Sequence, residues 1–140
     1  MNVSEKFLEY VDAFELTFED DNWQRIEAFF TEDATYTTGE DVARGRDAVM
    51  AKLRGSIDGL DRRMDGRAPT WEPAQAEGNT VTAPWTMTLS KSGAPDLYFA
   101  GVETAVYRDG LIAELRDDIE PDMMAAIGAW MAANAERLNA

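Results

Sequence analysis

The feature that most constrains this chain is a change of hydrophobic period at Pro69. Before it, apolar residues recur at helical spacing: Phe7, Val11, Phe14 and Phe18 share one face, then Trp23, Ile26 and Phe30, then Val49, Leu53, Ile57 and Leu60. After it come four segments of extended character, Thr70 to Ala76, Thr80 to Leu89, Leu97 to Tyr107 and Leu111 to Ile119. Glu77-Gly78-Asn79, Ser92-Gly93-Ala94-Pro95 and Arg108-Asp109-Gly110 separate them as turns. Connections this short join antiparallel neighbours. The pattern therefore predicts an α+β fold in which helices gather on one side of an antiparallel meander, whose twist leaves a cone able to hold a ligand.

The finer expectations follow from local chemistry. The acidic break Glu19 to Asn22 caps a second helix, Thr31-Glu32-Asp33 reads as a turn, and Thr35 to Thr38 reads as a short strand before a charge-rich loop. Asp47 is placed to cap the third helix, which Gly66 and Pro69 end. Asp122 to Leu138 reads as a last helix, with Met123, Ile127, Trp130 and Met131 as its buried stripe. Residues 1–140 show no repeat or linker and are expected to form a single domain. No apolar run is long enough to span a bilayer, and Met1 to Lys6 leads straight into an amphipathic pattern, so a cytoplasmic protein without membrane contact is expected.

Composition narrows the chemistry. The chain has no cysteine and no histidine, which removes thiolate nucleophiles, disulfides and the usual general base and metal ligand. Proton transfer then falls to Asp, Glu, Tyr, Lys or Arg, and with no Asp-rich cation loop in the sequence, no metal is expected. A net charge of −14 repels phosphate backbones, and the clusters Arg44/Arg46 and Arg62-Arg63 are too small to overcome it, so no nucleic-acid partner is expected.

Alternation along the last strand puts Leu111, Ala113, Leu115, Asp117 and Ile119 on one face, so a carboxylate shares an apolar surface. Burial there raises a carboxyl pKa towards neutrality, the condition for a general acid or base. Thr80 to Leu89 likewise sorts Trp85 and Met87 to one face, where an aromatic ring and a flexible thioether suit a flat apolar ligand. The hydroxyls of Tyr36 and Thr38, on one face of the first strand, can orient a carbonyl or a water. Trp23 and Arg46 read as structural.

Three strings in order, Trp23–Phe30 running into Glu32-Asp33-Ala34-Thr35-Tyr36, Gly45-Arg46-Asp47-Ala48-Val49, and Tyr107-Arg108-Asp109-Gly110-Leu111-Ile112 ending in Leu115-Arg116-Asp117, resemble the SnoaL-like branch of the nuclear-transport-factor-2-like superfamily. The resemblance covers nearly the whole chain up to Pro121 and implies a cystatin-like cone closed by N-terminal helices. Asp117 is similar in place to a catalytic aspartate of limonene-epoxide-hydrolase-like members, and Tyr36 to a tyrosine that holds their nucleophilic water. Their Arg and second Asp match Trp85 and Met87 here, which departs from that paired mechanism. The ketosteroid-isomerase-like base, tyrosine and donor aspartate fall near Thr38, Phe14 and Thr104, and all three depart. Scytalone-dehydratase-like histidines are lacking. The polyketide-cyclase plan, with one acid near the end of the last strand, is the nearest.

The resulting expectation is a cofactor-free acid/base enzyme, a cyclase, isomerase or hydrolase, acting on a small apolar carbonyl or polycyclic compound. Asp117 would be the catalytic residue, and Tyr36, Thr38, Phe14, Trp85, Met87, Thr104 and Leu115 would bind substrate. The alternative is a non-catalytic small-molecule-binding or association module, in which Asp117 is exposed or ion-paired. Glu103, by the parity that puts Thr104 inside, is expected to face solvent or a partner. The resemblance also implies a homodimer through the outer sheet face.

Overall fold

Asn2 starts the first helix by accepting a hydrogen bond from the Glu5 N–H (2.9 Å), and the chain then runs as helix α1 over Val3–Asp20. In this computed structural model, which describes residues 2–139, α1 and the short α2 (Trp23–Glu27) precede strand β1 (Phe30–Thr38), strand β2 (Asp41–Arg44) and helix α3 (Arg46–Gly59). A 3-10 turn (Asp61–Arg63) leads to β3 (Gly66–Trp71), β4 (Gln75–Glu77), β5 (Thr80–Ser90), β6 (Leu97–Arg108) and β7 (Leu111–Ile119). Helices α4 (Pro121–Ala133) and α5 (Ala135–Leu138) close the order.

The strands form one curved, unclosed sheet in the order β2-β1-β7-β6-β5-β3, with β4 beside β5. Every pairing is antiparallel except β1 with β7, which run parallel with Tyr36 opposite Leu115 and Thr38 opposite Asp117. The α+β expectation is met, and several local expectations are corrected. Thr31-Glu32-Asp33 is not a turn but the solvent-facing part of β1, whose register against β7 shifts between Phe30 and Thr35. The charged loop after it contains β2, folded back on β1. Gly45, at φ 91, takes the cap position of α3, and Asp47 lies in the first turn, where its charge favours the positive helix end. Segment 70–76 divides into β3 and β4 around Pro73, which has no N–H for a ladder. The last helix breaks at Asn134.

A second register shift matters more. Val106 pairs with Glu114 but Tyr107 with Ile112, so Ala113 is an extra residue that bulges β7. Ile112 and Leu115 therefore both point inward, fully buried, while Leu111 turns out to solvent. Beyond the bulge the alternation is the one the sequence predicts, and Asp117 follows Leu115 on the inner face.

Two apolar clusters flank the concave side. One gathers Phe7, Tyr10, Ile26, Phe30, Ile112 and Leu115 under α1 and α2; the other joins Met87, Leu89, Leu97 and Phe99 to Trp130 and Leu138 of the C-terminal helices. Full burial of each large side chain contributes about 1.5–3 kcal/mol. The indole N–H of Trp130 donates to the Pro95 carbonyl (2.8 Å), which ties α4 to the turn before β6. The space left between the two clusters is the cavity.

Candidate active site

A cavity of about 470 Å³ opens between α1, α3, α4 and the concave sheet, and most of its wall is apolar. Phe14, Trp71, Trp85, Met87 and Phe99 form much of that wall. Gly101 sits opposite Trp85 on the neighbouring strand, and a Cβ there would lie 2.6 Å from the indole ring, so the glycine gives the ring its seat. Phe99 meets the same ring edge-on at 5.8 Å.

Polar groups converge deep in this cavity. Asp117 lies on β7 directly opposite Glu103 on β6, so two carboxyls face each other across one ladder step. The Tyr36 hydroxyl, from β1 on the other side, donates to Asp117 Oδ2 at 2.6 Å. Asp117 lines the cavity, and burial pushes its pKa up to about 6 against the pull of the Tyr36 hydrogen bond. The Trp85 indole N–H also favours the ionised form, although it makes no hydrogen bond of normal geometry. Lys52 Nζ acts in the same direction, held over the Tyr36 ring (4.8 Å to its centre) by the Asp41 carboxylate at 2.9 Å.

Glu103 is only 7% exposed, and burial first, then the Asp117 charge, holds its carboxyl well above the usual range. Two like groups so close do not both ionise, so the pair retains a proton near neutral pH. Burial first, and second the charge on Glu103 once that carboxyl ionises, keep Tyr10 and Tyr107 in the hydroxyl form. The Tyr107 hydroxyl is buried without a hydrogen-bond partner among the described residues.

Of the residues singled out in the sequence, Asp117, Tyr36, Thr38, Phe14, Trp85 and Met87 all line the cavity. Leu115 does not; it is packed in the core beneath. Thr104 lies on the opposite face of β6, because Leu97, Phe99, Glu103, Ala105 and Tyr107 are the inward series. The same parity reverses the expectation for Glu103, which points into the cavity. Sequence reasoning also missed Tyr10, three residues after Phe7 on the buried face of α1, and Arg67, which lines the cavity beside Glu15 and Asp61.

The sequence pattern of the SnoaL-like domain family matches residues 8–115, most of the chain. This protein belongs to the SnoaL-like domain family. No curated protein sequence matches it. Among solved structures, TerC co-crystallised with polyporic acid superposes with a TM-score of 0.69 at 12% identity, covering 91% of this chain and 98% of TerC. An LEH-like epoxide hydrolase of M. tuberculosis gives 0.65 at 21% identity, covering 94% and 96%. A candidate polyketide cyclase from Xanthomonas campestris pv. campestris gives 0.62 at 18% identity, covering 89% and 98%. Other matched structures are described as NTF2-like, and the SnoaL-like chain shares that fold.

Proposed function

We propose that this SnoaL-like protein is an acid/base enzyme acting on a small, flat, apolar carbonyl or polycyclic compound, with its own side chains as the proton-transfer groups. The observation that carries the reading is the Asp117–Glu103 carboxyl pair at one end of an apolar cavity, with the Tyr36 hydroxyl 2.6 Å from Asp117. Asp117, with a pKa of about 6, is ionised at neutral pH yet basic enough to take a proton from the carbon beside a carbonyl. As that C–H bond breaks, its electron pair moves to the carbonyl oxygen, and protonated Glu103 is suited to donate a hydrogen bond to that oxygen. In a substrate with a double bond next to that carbon, the resulting dienolate takes the proton back from Asp117 at its far carbon, an isomerisation; otherwise the enolate carbon attacks a second carbonyl, a ring closure in which Asp117 returns its proton to the new alkoxide. Tyr36 holds the Asp117 carboxylate in one orientation. Matches to a candidate polyketide cyclase and to an epoxide hydrolase support a cavity of this fold as a place for chemistry. The same reading takes residues 1–140 as one domain and, from the family resemblance, a second copy against the outer sheet face; a monomeric mass in light scattering would remove the dimer.

The test is deuterium exchange at the α-carbons of 2-tetralone, a flat apolar ketone, followed by NMR in D₂O. Wild-type protein is expected to accelerate exchange, Asp117→Asn to lower the rate by about 10²–10⁴, and Glu103→Gln to lower it less. Saturable binding of the ketone without accelerated exchange would instead make the protein a ligand-binding module of the same fold.

A further inference from the structure

The cavity holds a second polar cluster that the proposed reaction does not use. Arg67 points inward from β3 with its side chain 9% exposed, and its Nε donates to Asp61 Oδ2 at 2.7 Å while its Nη1 donates to Glu15. Its guanidinium carbon lies 4.6 Å from the centre of the Phe18 ring, so α1, the 3-10 turn and β3 together fix its plane. All three charged residues line the same cavity as Asp117. Burying such a group costs desolvation that an apolar contact at the same place would not, so a clasp between α1 and β3 alone is a poor reason to have it.

We propose that Arg67, Glu15 and Asp61 form a second anchor that recognises a neutral hydroxyl at the far end of an elongated, flat ligand whose carbonyl meets Asp117. This deepens the proposed function by naming its substrate class, and it rests on that reading only for the carbonyl end. The bonds of Arg67 use Nε and Nη1, and among the described residues Nη2 has no partner. The cluster thus offers donors beside carboxylate acceptors, with one positive and two negative charges. A hydroxyl both donates and accepts and satisfies both kinds of group. A carboxylate only accepts and meets a net negative charge, and a bare ring edge leaves both kinds unmatched.

The distance between the anchors sets the ligand's length. Glu103 is opposite Ala83 on β5 and Arg67 is opposite Leu89, six residues apart, about 20 Å along the strand. On α1 the cavity-lining Tyr10, which senses Glu103, and Glu15 differ by about 7.5 Å of helix rise. Side chains reaching inward from both ends leave a gap on the order of 10 Å, the span of two linked or fused rings. Flat walls at Trp71 and Trp85 suit such rings.

Three rigid probes test the assignment by calorimetric titration: 4-acetyl-4′-hydroxybiphenyl, 4-acetylbiphenyl, and 4′-acetylbiphenyl-4-carboxylate. The hydroxylated ketone is expected to bind about tenfold tighter than its deoxy analogue, and the carboxylate more weakly than either. In Arg67→Met the hydroxyl preference falls towards one. In Glu15→Gln, which keeps the shape and removes one negative charge, the discrimination against the carboxylate relaxes. A purely structural clasp would weaken all three probes alike, and that pattern would overturn the proposal. So would equal affinities in the wild type, or no binding of any probe. Exchange of the acetyl methyl protons in D₂O on the same probes reads the reaction separately: its absence with the hydroxyl preference intact would remove the chemistry and leave the anchor standing.

Discussion

Replacing Asp117 by Asn is expected to make the protein more stable at neutral pH while removing its proposed chemistry. The folded carboxyl has its pKa raised from 3.8 to about 6, mainly by burial, and a raised carboxyl pKa means that the folded state binds more protons than the unfolded one between those values. The contribution of Asp117 to stability is thus most favourable below about pH 4 and is lost as pH rises through 6, after which it stays lost. A shift of about two pH units at about 1.4 kcal/mol each corresponds to about 3 kcal/mol. Asn keeps an oxygen for the Tyr36 hydroxyl and has no charge to desolvate. Relief of Glu103 works in the same direction, because the Asp117 charge is one cause of its raised pKa. Urea unfolding of both proteins, followed by tryptophan fluorescence at pH 4, 5, 6 and 7.5, reads this effect, since the carboxylates other than Glu103 cancel in the difference and the relief of Glu103 adds to it with the same sign. The gap between variant and wild type should grow by about 3 kcal/mol from pH 4 to pH 7.5. Curves that stay parallel within about 0.5 kcal/mol would mean that Asp117 titrates as a solvated carboxylate, and the burial argument would fail with them.

Exchange activity on 2-tetralone should rise with pH along a limb centred near 6, as Asp117 loses its proton; a limb near 4 would assign the base elsewhere. Tyr36→Phe removes a hydrogen bond that favours the ionised carboxyl, so that limb should move to higher pH, while the rate at the plateau falls by roughly tenfold through lost orientation. An unmoved limb would show that the Tyr36 bond does not act on the charge. Gly101→Ala places a methyl 2.6 Å from the Trp85 ring and 2.8 Å from the Asp118 carbonyl, and should cost about 1–3 kcal/mol in unfolding measurements and weaken ligand binding. Unchanged stability and affinity would show that Trp85 has another place to sit.

How legible the site was depends on how each strand distributes its apolar residues. In β5, Thr80, Thr82, Pro84, Thr86 and Thr88 alternate with Val81, Ala83, Trp85, Met87 and Leu89, and the inward face is unambiguous. In β6 both parities are apolar, Tyr98, Val102 and Val106 on one side and Leu97, Phe99 and Tyr107 on the other, so alternation alone could not fix the face of Glu103. The signal that was present is the weight of Phe99 and Tyr107, whose rings require burial more than Val102 and Val106 do. In β7 the bulge at Ala113 was not readable, and it moved Leu111 out and Ile112 in; Asp117 escaped the error because it lies beyond the extra residue. Arg67 lies two residues before Pro69, in a stretch that local pattern assigned to no strand, and its role depends on α1 and the 3-10 turn arriving from elsewhere. Contacts fixed by a bulge or by distant elements leave no trace in local spacing.

The parallel pairing of β1 with β7 has a consequence for the time at which the site comes into being. Strands β5, β6 and β7 meet through short connections and can zip as hairpins, but β1 joins β7 only by closing a loop that includes everything between them, and Tyr36 and Asp117 are 81 residues apart. Loop-closure entropy makes such non-local contacts slow to form. On a ribosome the first strand would be made early and wait for its partner, so the contact between Tyr36 and Asp117 would be among the last to appear. Pulse-labelled hydrogen exchange during refolding should find β6 amides protected before those of Thr35 to Thr37; simultaneous protection would show that the β1–β7 seam nucleates with the meander.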